Sequence, residues 1–179
     1  MILDEDLETA VAALDWALHT GRIDSDDLDR ILRSLPRRYW FIREWVDATC
    51  ESLPESLSRT RLRLRGHHVI TQVCLQNNRR VDLVIDGAVG LETDGEEFHW
   101  DRFLLDRLKD IEIMRADLIP LRLPAQVVFH DWELALAAVE AALKHGRSGN
   151  SGSEQAACAC VPEFAGEPAR RHPGRGGIS

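Results

Sequence analysis

The sequence predicts an α/β fold: a mixed sheet flanked by helices in the order α-β-β-β-α-β-α, behind a helical extension. Three observations carry this. Residues 80–85 and 88–93 alternate apolar and polar side chains around a tight Asp86-Gly87 connection, which is a strand pair. Stretches 55–65, 101–116 and 132–145 instead space their apolar residues at the 3.6 period of a helix. Strand and helix patterns interleave, which is the signature of an α/β arrangement.

Taken in order, residues 3–19 form a first helix through Leu3, Leu7, Ala10, Val11, Leu14 and Leu18, and Gly21 ends it. Asp24 or Ser25 caps a second helix through Leu28, Ile31, Leu32 and Leu35, and Pro36 stops it. An aromatic-rich third helix is expected at 37–49, where Tyr39, Trp40 and Trp45 serve packing. A boundary falls at 50–54. The next helix, 55–65, turns Leu57 and Leu64 inward and closes at Gly66. His67 and His68 are expected in a solvated turn. Strands 69–75 and 80–85 are joined through Asn77-Asn78, and 88–93 follows as a third strand. Helix 101–116 aligns Leu104, Leu108, Ile111 and Arg115. A fourth strand at 118–123 contains Pro120, which marks it as an edge or a bulge, and ends at Pro124. The last helix, 132–145, takes Asp131 as its cap and Gly146 as its stop. The tail past Gly146 holds six of the twelve glycines and three of the seven prolines, has no apolar period, and is expected to be disordered. Cys158, Cys160 and His172 in it match no zinc spacing. The division is thus 1–49, 50–145 and 146–179.

Length and composition bound the function. At 179 residues, 44% apolar and 29% charged, the chain reads as one soluble domain with an appendage. No apolar run approaches the roughly 18 residues that span a bilayer, so no membrane association is expected. The acidic start lacks the basic region of a secretory signal, and four scattered cysteines make no disulfide framework, so a cytoplasmic location is expected. The net charge of −8 disfavours a generic nucleic-acid coat. It is unevenly placed, however. Residues 1–35 carry −6, residues 36–145 carry −3 and the remainder +1. The acidity is chiefly that of the N-terminal helices, whose acidic face is a candidate docking surface for a protein partner.

The hydrophobic pattern selects the register of the central strand pair. A two-residue loop would set Asp82 beside Leu91. A three-residue loop, 86–88, pairs Ile85 with Val89, Leu83 with Leu91 and Val81 with Thr93, which leaves Asp82 opposite Glu92. Directly opposed side chains have Cβ atoms about 5 Å apart. Two carboxylates there repel, so either one takes a proton or a cation sits between them. With oxygen ligands alone the natural cation is Mg²⁺ or Mn²⁺. The alternative is pairing with Arg80, Arg122 or other basic groups.

At these residues the chain resembles the PD-(D/E)XK, or restriction-endonuclease-like, superfamily, and more closely an actinobacterial endonuclease-domain family related to the very-short-patch-repair mismatch endonucleases. The likeness covers about residues 50–143. It rests on Ser52-Leu53-Pro54-Glu55-Ser56, Gln72, Asp82, Glu92-Thr93-Asp94-Gly95 with His99, Asp106-Arg107-Leu108-Lys109-Asp110, and Leu121-Arg122. The resemblance implies a restriction-endonuclease-like core and a Mg²⁺- or Mn²⁺-dependent endonuclease acting on DNA. Asp82 and Glu92 become metal ligands, with the Thr93 carbonyl as a third. Glu55 becomes a further acid beside the metal. Asp94 stands where the superfamily usually has lysine and cannot supply its charge, so Gln72, His99 or Arg107 is expected to compensate. Residues 116–124 also depart from the family pattern. These departures motivate an alternative, a catalytically impaired nuclease-fold module that binds DNA or regulates. Arg59 and Arg63 on the Glu55 helix, with Arg107 and Lys109, are the candidate phosphate contacts, against the plainer reading of a solvated helix face.

Overall fold

The computed structural model describes residues 6–76, 79–94 and 100–149, the side chains of 100–104, 106 and 147–149 excepted. Two helices, α1 (Leu7–His19) and α2 (Ser25–Ser34), open the chain. Asp6 caps the first, and Asp24 and Asp27 close a reciprocal capping box on the second. The expected third helix is instead a 3-10 segment, Arg37–Glu44. Its apolar residues have no 3.6 spacing to bury, and the run buries only Ile42. Val11, Leu14, Leu28, Leu32 and Ile42 form a small core here, with Tyr39 and Trp45 packed against it as expected, whereas Trp40, also expected to pack, is exposed.

Helix α3 (Leu53–Leu64) starts at the Ser52 cap with Pro54 in its first turn. Its inward residue is Leu62, fully buried. Leu64, expected inside, is 53% exposed. Four strands follow: β1 (Val69–Cys74), β2 (Arg80–Ile85), β3 (Val89–Asp94) and, after α4 (Trp100–Arg115), β4 (Ile119–Pro124). The sheet order is β1-β2-β3-β4, antiparallel for the first two pairings and parallel for the last. β4 is therefore an edge strand, which accommodates Pro120. A short helix, α5 (Ala125–His130), was not legible in the sequence, and α6 (Trp132–Gly149) follows it. α6 runs through Gly146 rather than stopping there. That glycine passes so close to Ala88 that an added Cβ would lie 3.2 Å from the alanine Cβ.

The expected three-residue loop is observed: Ile85 pairs Val89 and Leu83 pairs Leu91. Asp86 and Gly87 both take positive φ, and the Ala88 N–H donates to the Ile85 carbonyl. His68 is exposed as expected, whereas His67 is half-buried. Its Nδ1 lies 2.9 Å from Asp86 Oδ2 and, with the His68 N–H on the same carboxylate, ties the turn to the end of α3.

Leu83, Ile85, Val89 and Leu91 face α3, α5 and α6, where Leu62, Val128, Leu136 and Val139 complete the main core. The other face meets α4 through Ile113. This helix buries Ile113, whereas Leu108 and Ile111, which share the line picked out by the sequence, are exposed. Gly90 permits the approach, since an added Cβ would come within 2.7 Å of Ile113 Cγ2. The Asn77-Asn78 turn, His99 and the tail cysteines with His172 lie outside the described residues. Among the described residues no helix is long and apolar enough to cross a membrane.

Candidate functional site

The register that buries the apolar face also sets the acids. Past the Leu83–Leu91 pair, backbone donors turn to carboxylates: the Asp82 N–H donates to Glu92 Oε1 (3.2 Å) and the Thr93 N–H to Asp82 Oδ2 (2.9 Å). Each acid thus reaches across to the backbone of the other strand, and the two carboxylates are held together. Glu92 is 5% exposed. Burial and the neighbouring Asp82 charge push its carboxyl up to about 7. Burial likewise raises Asp82.

Glu55 joins them from the first turn of α3, where the helix N-terminus favours negative charge. It accepts from the Glu51 N–H (3.0 Å), the Ser52 hydroxyl (2.9 Å) and the Gln72 amide (3.0 Å). Burial raises it first, and the charge on Asp82 raises it further. Glu55, Asp82 and Glu92 are therefore one electrostatic unit drawn from α3, β2 and β3.

The basic groups around this unit were only partly foreseen. Lys109, read as a phosphate contact, projects from α4 onto Glu92 Oε2. The signal was faint, because the two lie 17 residues apart and Glu92 offers no local pattern that selects a lysine. Arg122 pairs with Asp94 (3.2 Å) and Asp110 (2.8 Å) rather than with Asp82 or Glu92, and Arg80 pairs with Glu51 (2.9 Å). Asp94 is half exposed at the rim. Arg107 is exposed beside Asp110.

Two of the arginines expected at phosphate lie elsewhere. Arg59 is 3% exposed and gives its guanidinium to Asp15, Asp47 and the Trp45 carbonyl. It cannot reach a phosphate at the surface. Arg63 lies over the Trp45 ring, 4.6 Å from its centroid. The even spacing of Arg59, Arg61, Arg63 and Arg65 hid this, because α3 has the N-terminal helices against one side.

The donor set suits a hard divalent cation in charge and in type, being carboxylate oxygen throughout. Among the described residues no three acidic, histidine or cysteine side chains converge to enclose an ion by themselves. A cation here would take Asp82 and Glu92, with the Thr93 carbonyl and water filling further positions. No protein-family model, curated protein or solved structure matches the chain.

Proposed function

We propose that residues 50–145 form a restriction-endonuclease-like domain that hydrolyses DNA phosphodiester bonds with Mg²⁺ or Mn²⁺. One observation carries this reading: Glu55, Asp82 and Glu92, from three elements, form one electrostatically coupled cluster of acids that, among the described residues, is met by one lysine. Uncompensated buried carboxylates are costly, and a divalent cation removes the cost. The bound ion supplies a polarised phosphoryl oxygen and a more acidic water. Asp82 and Glu92 would hold it. Glu55, fixed by three donors and raised by burial, orients the attacking water and takes its proton at a carboxylate oxygen. Lys109 Nζ brings to the site the positive charge that Asp94 cannot. The element order α3-β1-β2-β3-α4-β4 with its parallel β3–β4 pairing also agrees with the resemblance.

Incubation of supercoiled plasmid with the protein and Mg²⁺ or Mn²⁺ should give nicked circles. Asp82→Ala and Glu92→Ala should each reduce nicking to background. Equal nicking in both variants would sink the reading. The pairing of Asp94 with Arg122 favours a second reading, a module that binds DNA without cleaving it. Retained plasmid binding with no nicking by the unaltered protein would select that one.

A further inference from the structure

Gln72 is one of three described non-glycine residues with positive φ, at 49°. A side chain other than glycine in the left-handed region is strained and persists only where its surroundings hold it there. The β1–β2 ladder is regular on both sides, pairing Val69 to Thr71 with Ile85 to Leu83 and then Val73 with Val81. The pairing lapses only between Gln72 and Asp82. The strand is thus distorted at the residue whose amide meets Glu55, opposite the residue that couples Glu55 to Glu92.

What holds the distortion lies next to it. The Thr71 hydroxyl donates to Asp47 Oδ2 (2.9 Å), and Thr49 Oγ1 lies 2.8 Å from Thr71 Oγ1. Asp47 is fixed in turn: its N–H donates to Asp15 Oδ1 (2.7 Å), and its carboxylate accepts from the Thr49 N–H (2.9 Å) and faces Arg59 at 3.9 Å. Asp15 on α1 accepts from Ser56 and from Arg59 (3.0 Å), both on α3, the helix that carries Glu55. One polar network therefore grips the two elements that bring Glu55 and Gln72 together. Buried ion pairs add little net stability, because desolvation offsets their attraction, and fixing a geometry is one use for retaining them.

We infer that the Asp15–Arg59–Asp47–Thr71 network is a positioning device, through which the N-terminal helices hold Gln72 in the conformation that aims its amide at Glu55. The inference rests on the nuclease reading for what Glu55 does, but not for what holds it. The residues of the network are positioning residues and touch no reacting atom. The N-terminal helices are then part of the site's support.

Thr71→Val, which keeps shape and removes the hydroxyl, is the test, and Thr71→Ser is its conservative rescue. The readouts are the side-chain amide signals of Gln72 by nuclear magnetic resonance and Mn²⁺ affinity by electron paramagnetic resonance. In Thr71→Val the Gln72 amide protons should exchange like solvated ones, and Mn²⁺ should bind about tenfold more weakly, as for other outer-shell changes at metal sites. Thr71→Ser should restore both. Wild-type Gln72 amide signals in Thr71→Val would overturn the inference. Absence of nicking by the unaltered protein would overturn the nuclease reading instead, and the amide measurement would still decide the positioning.

Discussion

The chain buries two clusters of charge, and they are built on opposite rules. Around Arg59, Asp15 and Asp47 are met by a guanidinium, hydroxyls and backbone N–H groups. Around Asp82, among the described residues, three acids face one lysine. Burial raises the carboxyl in both places. After burial, the strongest influences on Asp15 are donors that pull it down: Ser56, the Asp47 N–H and Arg59. After burial, the strongest influence on Glu92 is another acid, Asp82, which pushes it further up. A cluster that only has to hold elements together meets each of its acids with donors. A cluster left with surplus charge of one sign is adapted to something that brings the other sign.

Breaking the balanced cluster should have the largest effect. Arg59→Met preserves the stem and removes the charge, which leaves Asp15 buried without its cation. Loss of one partner of a buried pair costs about 3–5 kcal/mol. Urea unfolding should show it as a lower midpoint at unchanged slope. The double variant Asp15→Asn with Arg59→Met should cost less than the two singles together, because the uncompensated charge is gone. A loss under about 1 kcal/mol for Arg59→Met would place it among ordinary surface changes and remove the contrast.

Relieving the unbalanced cluster should stabilise. The folded-state value of Glu92, about 7, lies above its ordinary 4.5. The folded chain therefore holds this proton more tightly than the unfolded one. The stability that the proton brings is complete below the unfolded value and is lost as pH rises through 7. In chelator, the unaltered protein should weaken between pH 5 and 8 by on the order of 2–3 kcal/mol through this group. Glu92→Gln cannot ionise and should lack that decline. Mg²⁺ should restore stability at pH 8 to the unaltered protein and not to Glu92→Gln. Unfolding curves that fall in parallel for both proteins would show that Glu92 carries no surplus.

The two clusters were unequally legible. Opposed Asp82 and Glu92 could be placed from sequence because period-2 alternation leaves one loop length that keeps Leu83 and Leu91 together, and the side chains follow the register. Their basic neighbours could not be placed. Arg59 finds Asp15 across 44 residues and Lys109 finds Glu92 across 17, contacts made by helix packing that no local pattern encodes. The helix faces failed for a related reason. Leu64 and Leu62, or Ile111 and Ile113, are equal candidates by composition, and only the contact with the sheet selects between them. Helix α5 is six residues long, too short to show a period, and it follows directly on the proline that ends β4.

The smallest expected effects concern surface cations, and they sharpen the same comparison. Arg63 stacks on Trp45 at the balanced end, whereas Arg107 is exposed on α4 beside Asp110, which shares Arg122 with Asp94. Both alanine variants should change stability by less than about 1 kcal/mol, as exposed ion pairs and cation–π contacts do. DNA binding should separate them. Each phosphate contact contributes about 0.9 to the slope of log affinity against log salt. Arg107→Ala should lower that slope by about one contact and weaken binding evenly across sequences, while Arg63→Ala should leave it unaltered. The reverse result would place the phosphate-facing surface at the N-terminal helices. The surplus carboxylates would then lie away from the bound strand, and hydrolysis at Asp82 and Glu92 would have no substrate within reach.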